Sequence, residues 1–464
     1  MTPTRILVVG GGGREHALAW KLAGEPGINA VHVAPGNPGM ADEPRVTVHG
    51  EVQATDVPAI VGLAKAHAIE LAVIGPEAAL AAGVTDALEA AGVPTFGPSQ
   101  AAARIETSKA FCRAIAAAAG VPMAAGAAFD ELEPAIAFAR DLAAERDGTA
   151  GVVVKVDGLA AGKGVTVCDT AEEAEAALRA VLGDGAAHGG RGARVVVEER
   201  LTGLEASLIA LCDGSEVLGL MPARDHKRLL DGDLGPNTGG MGAYSPLPDL
   251  SAAAAAGLLG QVHRPILEEL RRRATPFRGA LYAGLILTED GPRLLECNAR
   301  FGDPEAQVLL PTIGVALAPL LLAAARGDLT ASARRLGIDG PLLPTTGQAA
   351  VGIVLAAAGY PATPRRGDPI GGIDEARAGG SLVFHSATTR SPEGSLVTDG
   401  GRILTVVGRG PDLASAQGIA SAAADRVTFA GVQRRRDIAV AVPDGPARGS
   451  APTVDAGRAV VSIR

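Results

Sequence analysis

Glu296, Asn298 and Arg300 stand two residues apart within Arg293-Leu294-Leu295-Glu296-Cys297-Asn298-Ala299-Arg300-Phe301-Gly302-Asp303-Pro304-Glu305. Side chains alternate along a strand, so these three would share one face while Cys297 and Ala299 point the other way. A carboxylate and a carboxamide on one surface offer oxygen ligands to a hard divalent cation. A guanidinium just beyond suits a phosphate held by that cation. A charged edge strand in solvent has the same spacing, so the reading depends on what accompanies it.

Three further constellations do. Gly10-Gly11-Gly12-Gly13, with Arg14 beside it, follows a short β-branched run. It offers backbone N–H groups at a helix N-terminus, a phosphate site. A dinucleotide fingerprint fails there, because its third glycine would fall on Glu15 and the second strand ends in Ala34-Pro35 with no acidic residue. Val152–Val156 carries Lys155 into Asp157 and Gly158-Leu159-Ala160-Ala161-Gly162-Lys163-Gly164, then back into a strand. The spacing is not that of a Walker loop, which must open a helix, but a glycine-rich β-turn can close over polyphosphate. Lys109, one residue past a helix cap, adds positive charge. Asp225-His226-Lys227-Arg228, followed by Gly235-Pro236-Asn237-Thr238-Gly239-Gly240-Met241-Gly242, is the densest polar cluster. Its Asp can fix a substrate ammonium, and its glycine amides near Thr238 can bind a carboxylate or phosphate. His226 is a weaker candidate for a base.

The elements that must position these groups are legible in outline. Strands Arg5–Val9, Ala30–Ala34 and Leu71–Ile74 each end in a Gly/Pro loop, the pattern of a doubly wound parallel sheet with ligands at its carboxyl edge. A helix capped by Ser108 and stopped by Gly120 and Pro122 follows. Strands Val152–Val156 and Val165–Cys168, helix Ala171–Leu182 and strand Arg194–Glu199 make a small α/β unit, with a glycine-heavy loop at Gly183–Gly192. Residues 200–325 read as antiparallel sheet, clearest in the hairpin Leu281–Thr288 and Pro292–Asn298 around Asp290-Gly291. Strands at Gln348–Leu355, Gly380–His385 and Ile403–Gly408, then helix Leu413–Val427, make a strand-rich C-terminal domain.

Bulk properties narrow the class. A chain of 464 residues holds about three domains. A net charge of −9 and 3% aromatic residues argue against nucleic acid as a partner. Arg271–Arg273 and Arg434–Arg436 read as solvated element ends. The four cysteines are far apart, giving no zinc or disulfide signal and fitting a reducing, cytoplasmic setting. The apolar run Ile313–Ala325 is too short to span a membrane.

Taken together, Gly12-Gly13-Arg14-Glu15-His16-Ala17, Ala34-Pro35-Gly36-Asn37, Gly75-Pro76-Glu77, Ser108-Lys109-Ala110-Phe111, Lys155–Gly164, Asp225–Arg228, Gly235–Pro246 and Arg300–Glu305 closely resemble the glycinamide ribonucleotide synthetase family, the phosphoribosylamine–glycine ligases of the ATP-grasp superfamily. The resemblance runs from about residue 5 to 440. It implies an α/β and α+β multidomain chain: an N-terminal ribosylamine domain (1–105), a lid-bearing ATP-grasp subdomain (106–195), a metal and nucleotide subdomain (196–328), a C-terminal domain (329–440) and a disordered tail (441–464).

It also implies a reaction, in which ATP, glycine and 5-phosphoribosylamine give glycinamide ribonucleotide, ADP and phosphate through a glycyl phosphate in de novo purine biosynthesis. The implied metal ligands are Glu296 and Asn298, for Mg²⁺ or Mn²⁺. Lys109, Lys155, Gly158, Gly162, Lys163 and Gly164 would meet ATP phosphates, Glu198, Glu199 and Leu201 the adenine, and Glu205 the ribose. Gly13, Arg14, Asn37, Glu77, Asp225, Lys227, Thr238, Gly239, Gly240 and Asp303 would contact the other substrates, with Arg300, Asp225 and Lys155 in the catalytic roles. The expected partners are small molecules acting on a monomeric enzyme. The nearest alternative is another ATP-grasp carboxylate–amine ligase or a purine-pathway carboxylase; a nicotinamide oxidoreductase and a silent ATP-binding module are further rivals. Departures from the family pattern are Cys297 in place of Phe, Arg224 in place of Gln, the loosened Gly183–Gly192 loop, and Arg434 in place of an aromatic residue.

Overall fold

The computed structural model describes residues 2–144, 151–158, 164–183 and 193–440. The lid turn around Gly162 and Lys163, most of the loop Gly183–Gly192 and the tail 441–464 lie outside the described residues.

The N-terminal unit alternates strand and helix: β1 (Arg5–Gly10), α1 (Gly13–Ala23), β2 (Ala30–Pro35), β3 (Val46–Val48), α2 (Val57–Ala66), β4 (Leu71–Ile74), α3 (Glu77–Ala81), α4 (Val84–Ala90) and β5 (Thr95–Phe96). The strands form a parallel sheet in the order β3-β2-β1-β4-β5. The chain runs outward from β1, then returns to β4 on its other side. The topological switch therefore lies between the carboxyl ends of β1 and β4, where α/β sheets bind ligands. Gly10–Gly13 and Gly75–Glu77 leave the sheet at that point, as the sequence pattern predicts.

Two helices, α5 (Gln100–Thr107) and α6 (Lys109–Ala118), lead into the next unit. The expected cap holds: Ser108 Oγ accepts the Phe111 amide at 3.1 Å. Strand β6 (Gly126–Phe129) and helix α7 (Leu132–Ala144) have no counterpart in the sequence reading; β6 is a weak Gly-Ala-Ala-Phe run that pairs along β9. Then come β7 (Val152–Val156), β8 (Val165–Cys168), α8 (Ala171–Leu182) and β9 (Val195–Glu199), in a sheet ordered β6-β9-β7-β8 with α7 and α8 packed over it.

The third unit is β10 (Leu204–Asp213), β11 (Val217–Gly219), β12 (Arg224–Asp225), β13 (Arg228–Leu230), β14 (Leu234–Asn237) and β15 (Gly242–Ser245). Helices α9 (Ala252–Leu258) and α10 (Arg264–Arg272) precede the long hairpin β16 (Arg278–Thr288) and β17 (Gly291–Asn298), and α11 (Glu305–Leu309), α12 (Ala318–Arg326) and α13 (Leu329–Arg335) follow. One antiparallel sheet runs β11-β10-β16-β17. The segment is thus less purely antiparallel sheet than its sequence pattern suggested.

The last unit is β18 (Ala349–Ala356), β19 (Arg366–Pro369), α14 (Ile373–Ala378), β20 (Leu382–His385), β21 (Thr388–Arg390), β22 (Leu396–Asp399), β23 (Arg402–Gly410) and α15 (Leu413–Ala424). Its main sheet has the order β12-β15-β18-β23-β20, so two strands of the third unit complete a sheet of the fourth. Helix α15 stops three residues short of the expected Val427, with Asp425 as its cap.

Arg435 corrects the reading of Arg434–Arg436 as a solvated end. It is 1% exposed and paired with Asp233 and Asp437, each at 2.6 Å. Burying so many donors is tolerable only because carboxylates meet them. Among the described residues no helix is long and apolar enough to cross a membrane.

Candidate active site

The strand expected at Glu296–Asn298 forms, with the expected alternation of faces. On β17 and just past it, Leu294, Cys297 and Ala299 are buried, while Glu296, Asn298 and Arg300 stand on the accessible side. The ladder has a bulge: Gly284 pairs with Glu296 but Leu285 pairs with Leu294, leaving Leu295 extra. Bulges re-aim neighbouring groups, and here the Leu295 carbonyl accepts a hydrogen bond from Lys155 Nζ at 3.0 Å. That bond joins β7 of the second unit to β17 of the third. The same ammonium lies 2.6 Å from Glu198 Oε2, and Arg113 holds the other Glu198 oxygen at 3.0 Å. Glu198 is only 4% exposed; its side chain is spent on these two cations, and its backbone lies in a strand paired on both sides, with Gly126 of β6 and Val153 of β7. Glu199 accepts the Ala125 amide at 2.8 Å and its own N–H bonds the Ala125 carbonyl, so its backbone donor is committed too. Leu201 follows β9 half-buried.

Lys109 Nζ donates to the Gly158 carbonyl at 3.0 Å. Asp157 ties the same turn to the cap of α6, accepting from Ser108 Oγ at 3.1 Å and the Ala110 amide at 3.2 Å. Burial lowers the Lys109 ammonium, against the pull of Glu296 and Asp157. Gly158 and Gly164 flank the turn whose centre lies outside the described residues.

Lys227 is the hub. Its Nζ lies 3.1 Å from Glu205 Oε2 and 3.9 Å from Glu296 Oε1, linking the Asp225–Ser245 segment to β10 and β17. Burial opposes its charge, but Glu205, Asp225 and Glu296 raise its pKa well above the ordinary lysine value. Glu296 is the complement: burial pushes it up, yet Lys227, Lys155, Arg300 and Lys109 together hold it below the usual carboxylate range. Asp225 differs. Burial pushes it up to about 8, Lys227 pulls it down, and Glu305, Glu205 and Glu296 reinforce the rise. A carboxyl with that surplus of negative neighbours wants a cation. The Asn298 carboxamide makes no hydrogen bond among the described residues, which leaves its oxygen available beside Glu296.

Arg300 reaches Glu106 at 2.8 Å and Glu77 at 3.4 Å, joining the third unit to the switch point of the first. Arg14 lies 3.9 Å from the same Glu77 oxygen and donates to Glu15 at 2.6 Å. Although burial raises Glu77, Arg300 and Arg14 bring it below its ordinary value.

The glycine run at the switch point holds a carboxylate of the chain's own. Glu15 Oε2 accepts the Gly12 amide at 2.7 Å. A Cβ at Gly75 would sit 2.1 Å from Glu15 Oε1, and one at Gly10 2.5 Å from its Cγ. The expected anion cradle is therefore partly filled by Glu15, and these two glycines make room for it.

Some expected contact residues are taken up by the fold. Asn37 is buried; its Nδ2 donates to Gly11 and His385 carbonyls, each at 2.9 Å, and its Oδ1 accepts the Met40 amide. Gly13 packs against Gln307 and Ser386. The amides of Thr238, Gly239 and Gly240 donate to the Lys227 carbonyl, Tyr360 Oη and Thr238 Oγ1, so the carboxylate-binding role read into them lacks free donors. Asp303 is clamped by Arg402 at 3.2 Å and Gln307 at 2.8 Å. Arg402 also donates to the Gly239 and Asp303 carbonyls, so the C-terminal unit braces the Asp225 segment.

Sequence reasoning missed Glu106, Ser207, Tyr282, Glu305 and Arg402. Glu305 accepts from Ser207 Oγ at 2.9 Å, and Ser207 also meets Tyr282 Oη, a buried network behind Asp225. Only Glu305, at the end of the metal-strand motif, had a signal in the sequence. The departures also find partners. Arg224 bonds the Glu205 carbonyl, Tyr244 and Asp249, anchoring the loop. Cys297 is buried against Cys112, on the side of β17 away from Glu296 and Asn298. Arg434 pairs with Asp425.

Comparison with known proteins adds three family matches in chain order. The phosphoribosylglycinamide synthetase N domain matches residues 4–106, the ATP-grasp (A) domain 107–306 and the C domain 350–441. Phosphoribosylamine–glycine ligase of Streptomyces coelicolor is 47% identical over 438 residues, covering 94% of this chain and 98% of the relative. That of Vibrio parahaemolyticus is 43% identical over 435 residues, with 94% and 97% covered. The crystal structure of the Thermotoga maritima phosphoribosylamine–glycine ligase superposes with a TM-score of 0.75 at 31% identity, over 94% of this chain and all of that one (100%). A biotin carboxylase domain of Hydrogenobacter thermophilus 2-oxoglutarate carboxylase, at TM-score 0.66 and 18% identity over 94% and 92%, shares the fold alone.

Proposed function

The chain belongs to the phosphoribosylglycinamide synthetase family, and from that premise we propose that it joins glycine to 5-phosphoribosylamine at the expense of ATP, with the cluster around Lys227 as its chemical centre. As an ATP-grasp ligase it uses ATP and a divalent metal. The observation that carries the residue assignment is the Lys227 bridge, which brings the ammonium-seeking Asp225 and the metal-type carboxylate Glu296 into one charge network.

Two bonds change hands. A glycine carboxylate oxygen attacks the γ-phosphorus of ATP, and the bond to the β–γ bridging oxygen breaks, releasing ADP and leaving glycyl phosphate. The amine nitrogen of phosphoribosylamine then attacks the acyl carbon, inorganic phosphate departs, and the nitrogen gives up one proton. The metal, Mg²⁺ or Mn²⁺ in our reading, neutralises charge on the phosphates. Glu296 and the free Asn298 carboxamide are a hard-oxygen donor pair that fits either ion. Lys109, bonded to the Gly158 carbonyl, and Lys155, on the strand that leads into that turn, lie along the phosphates. Asp225 takes the glycine ammonium, which offsets the negative charge of Glu305, Glu205 and Glu296 that Lys227 alone does not, and turns the carboxylate of glycine toward the phosphate. Arg300, braced by Glu106 and Glu77, stabilises the charge on the phosphoryl group in flight. Arg14 and Glu77, at the sheet's carboxyl edge, face the ribosylamine. Glu205 and the backbone beyond β9 hold the nucleoside. Acting on small molecules from a single chain's residues, the enzyme is proposed to be monomeric and cytoplasmic.

The test is ADP release with Mg-ATP and glycine, with and without phosphoribosylamine formed in situ from ribose 5-phosphate and ammonia. Turnover that needs both acceptors is the expected outcome. Turnover with bicarbonate in place of glycine would instead indicate a carboxylase. Asn298→Leu should lower kcat by ~10²-fold or more with its unfolding transition intact; near-normal activity at low Mg²⁺ would remove Asn298 from the metal site.

A further inference from the structure

Three of the chain's eight histidines, none of them in the candidate active site, meet on the N-terminal sheet. His32 lies in β2, His49 just follows β3, and His67 caps the C-terminus of α2. Their convergence follows from the ladder. His32 pairs with Thr47, so His49, two residues further, lies on the same face of the sheet. Helix α2 packs on that face, where Ala34, Ile60 and Ala64 share one core, and its end delivers His67.

The imidazole nitrogens, one from each residue, all lie within 4.8 Å of one another. His32 Nδ1 and His49 Nε2 are 3.0 Å apart, and the His32 and His67 ring centroids are 4.2 Å apart. We propose that His32, His49 and His67 form a binding site for a divalent transition-metal ion of the zinc class.

The chemistry favours that class over the hard ion of the catalytic centre. Neutral imidazole is a borderline ligand that suits Zn²⁺ and its neighbours, while Mg²⁺ prefers oxygen. Zn–N bonds of about 2.0–2.1 Å in tetrahedral geometry put ligand nitrogens about 3.3 Å apart. The His32–His49 pair is already near that spacing, and His67 closes by side-chain rotation.

An outer partner is also at hand. Glu51 Oε1 lies 3.8 Å from His49 Nδ1, the ring nitrogen opposite the one facing His32. A carboxylate on the far nitrogen of a ligating histidine fixes its tautomer and orientation. His32 is 7% exposed, whereas His49 and His67 are half-buried, so an ion can enter and keep a water as its fourth ligand. A purely aromatic stack would not need its nitrogens to converge.

The site clamps elements rather than substrates. Among the described residues, no hydrogen bond or ion pair joins these three histidines to Asp225, Lys227, Glu296 or Arg300. An ion there ties β2, β3 and α2 together.

The experiment uses the full chain, stripped of metal and dialysed against buffered Zn²⁺, with bound zinc counted per chain and Co²⁺ visible absorption recorded. About one ion per chain is expected, with a tetrahedral Co²⁺ spectrum and a higher Tm in zinc. His67→Gln and His49→Gln should each weaken binding by more than the ~10–100-fold that losing an outer partner costs. Both should keep full ligase turnover with Mg-ATP, which also reports that they fold. Glu296→Gln separates the catalytic metal site: it should lose turnover and keep the zinc. Failure of the unmodified chain to retain zinc at micromolar free ion overturns the proposal. So does binding of unchanged affinity in both histidine variants, or loss of the ion in Glu296→Gln.

Discussion

Asp225 sits where an ionised carboxylate is unwelcome, and its proposed role depends on that. Its carboxyl is pushed up to about 8 from an ordinary 3.8. Between those pH values the folded chain keeps a proton that the unfolded chain has lost, so this group subtracts stability as pH rises from about 4 to about 8. Asp225→Asn should therefore flatten the fall in Tm between pH 5 and pH 8 while raising the KM for glycine at least ~10-fold. If the ammonium of glycine is what ionises Asp225, binding at pH 7 should release close to ~1 proton, measurable by calorimetry in buffers of different ionisation enthalpy. No proton release would detach Asp225 from that role. Lys155 offers a second test at this scale. Lys155→Met removes a phosphate partner and one of the two cations on Glu198. Arg113 remains, so the loss of stability in urea should stay below the ~3–5 kcal/mol of a fully orphaned buried charge, while kcat falls far more steeply. Asp225, Lys227, Glu296 and Lys155 were legible in the sequence because their chemistry is carried by residue type. Asn37 and Thr238–Gly240 were not, because whether an amide is free or already bonded is decided by parts of the chain far away, such as His385 and Tyr360.

Elements set these residues to within hydrogen-bonding distance. The bulge at Leu295 shows how: one extra residue in β17 presents a carbonyl to Lys155 and keeps Glu296 and Asn298 on the cleft side. Alternation alone predicted the faces but could not reveal the bulge, since no residue type marks it. Gly240 plays the corresponding part in the Asp225 segment. It has φ +108, and a Cβ there would lie 2.6 Å from Pro304 Cδ, a ring atom with nowhere to go. Gly240→Ala should cost about 1–3 kcal/mol and raise the KM for glycine more than that for ATP, because it separates the segment from the turn after β17. Equal effects on both constants would show that the strain is absorbed locally. The parallel strands and the hairpins were legible from β-branched runs between Gly and Pro punctuation. Strand β6 was not, since Gly-Ala-Ala-Phe has little β-propensity and is held by its pairing with β9.

At the scale of the molecule, the candidate site is where all four units meet: Lys155 joins the second to the third, Arg300 the third to the first, and Arg402 the fourth to the Asp225 segment. The doubly wound N-terminal unit and the strand-rich C-terminal unit could be read in advance, but not the sheet that crosses from the third unit into the fourth. Its pairing β15–β18 joins residues that no local pattern connects. A chain ending near residue 340 would expose the edge of β15 and the buried Tyr244 and Met241, and should be insoluble or protease-sensitive although it contains every proposed chemical group. A soluble, ATP-cleaving fragment would contradict this. The same sheet has a consequence for how the protein is made. Gly242–Ser245 leaves the ribosome roughly a hundred residues before its partner Ala349–Ala356 exists, a delay on the order of 5–20 s at ~5–20 residues per second. During that interval the strand that anchors the Asp225 segment has an unpaired edge, open to mispairing until β18 is made.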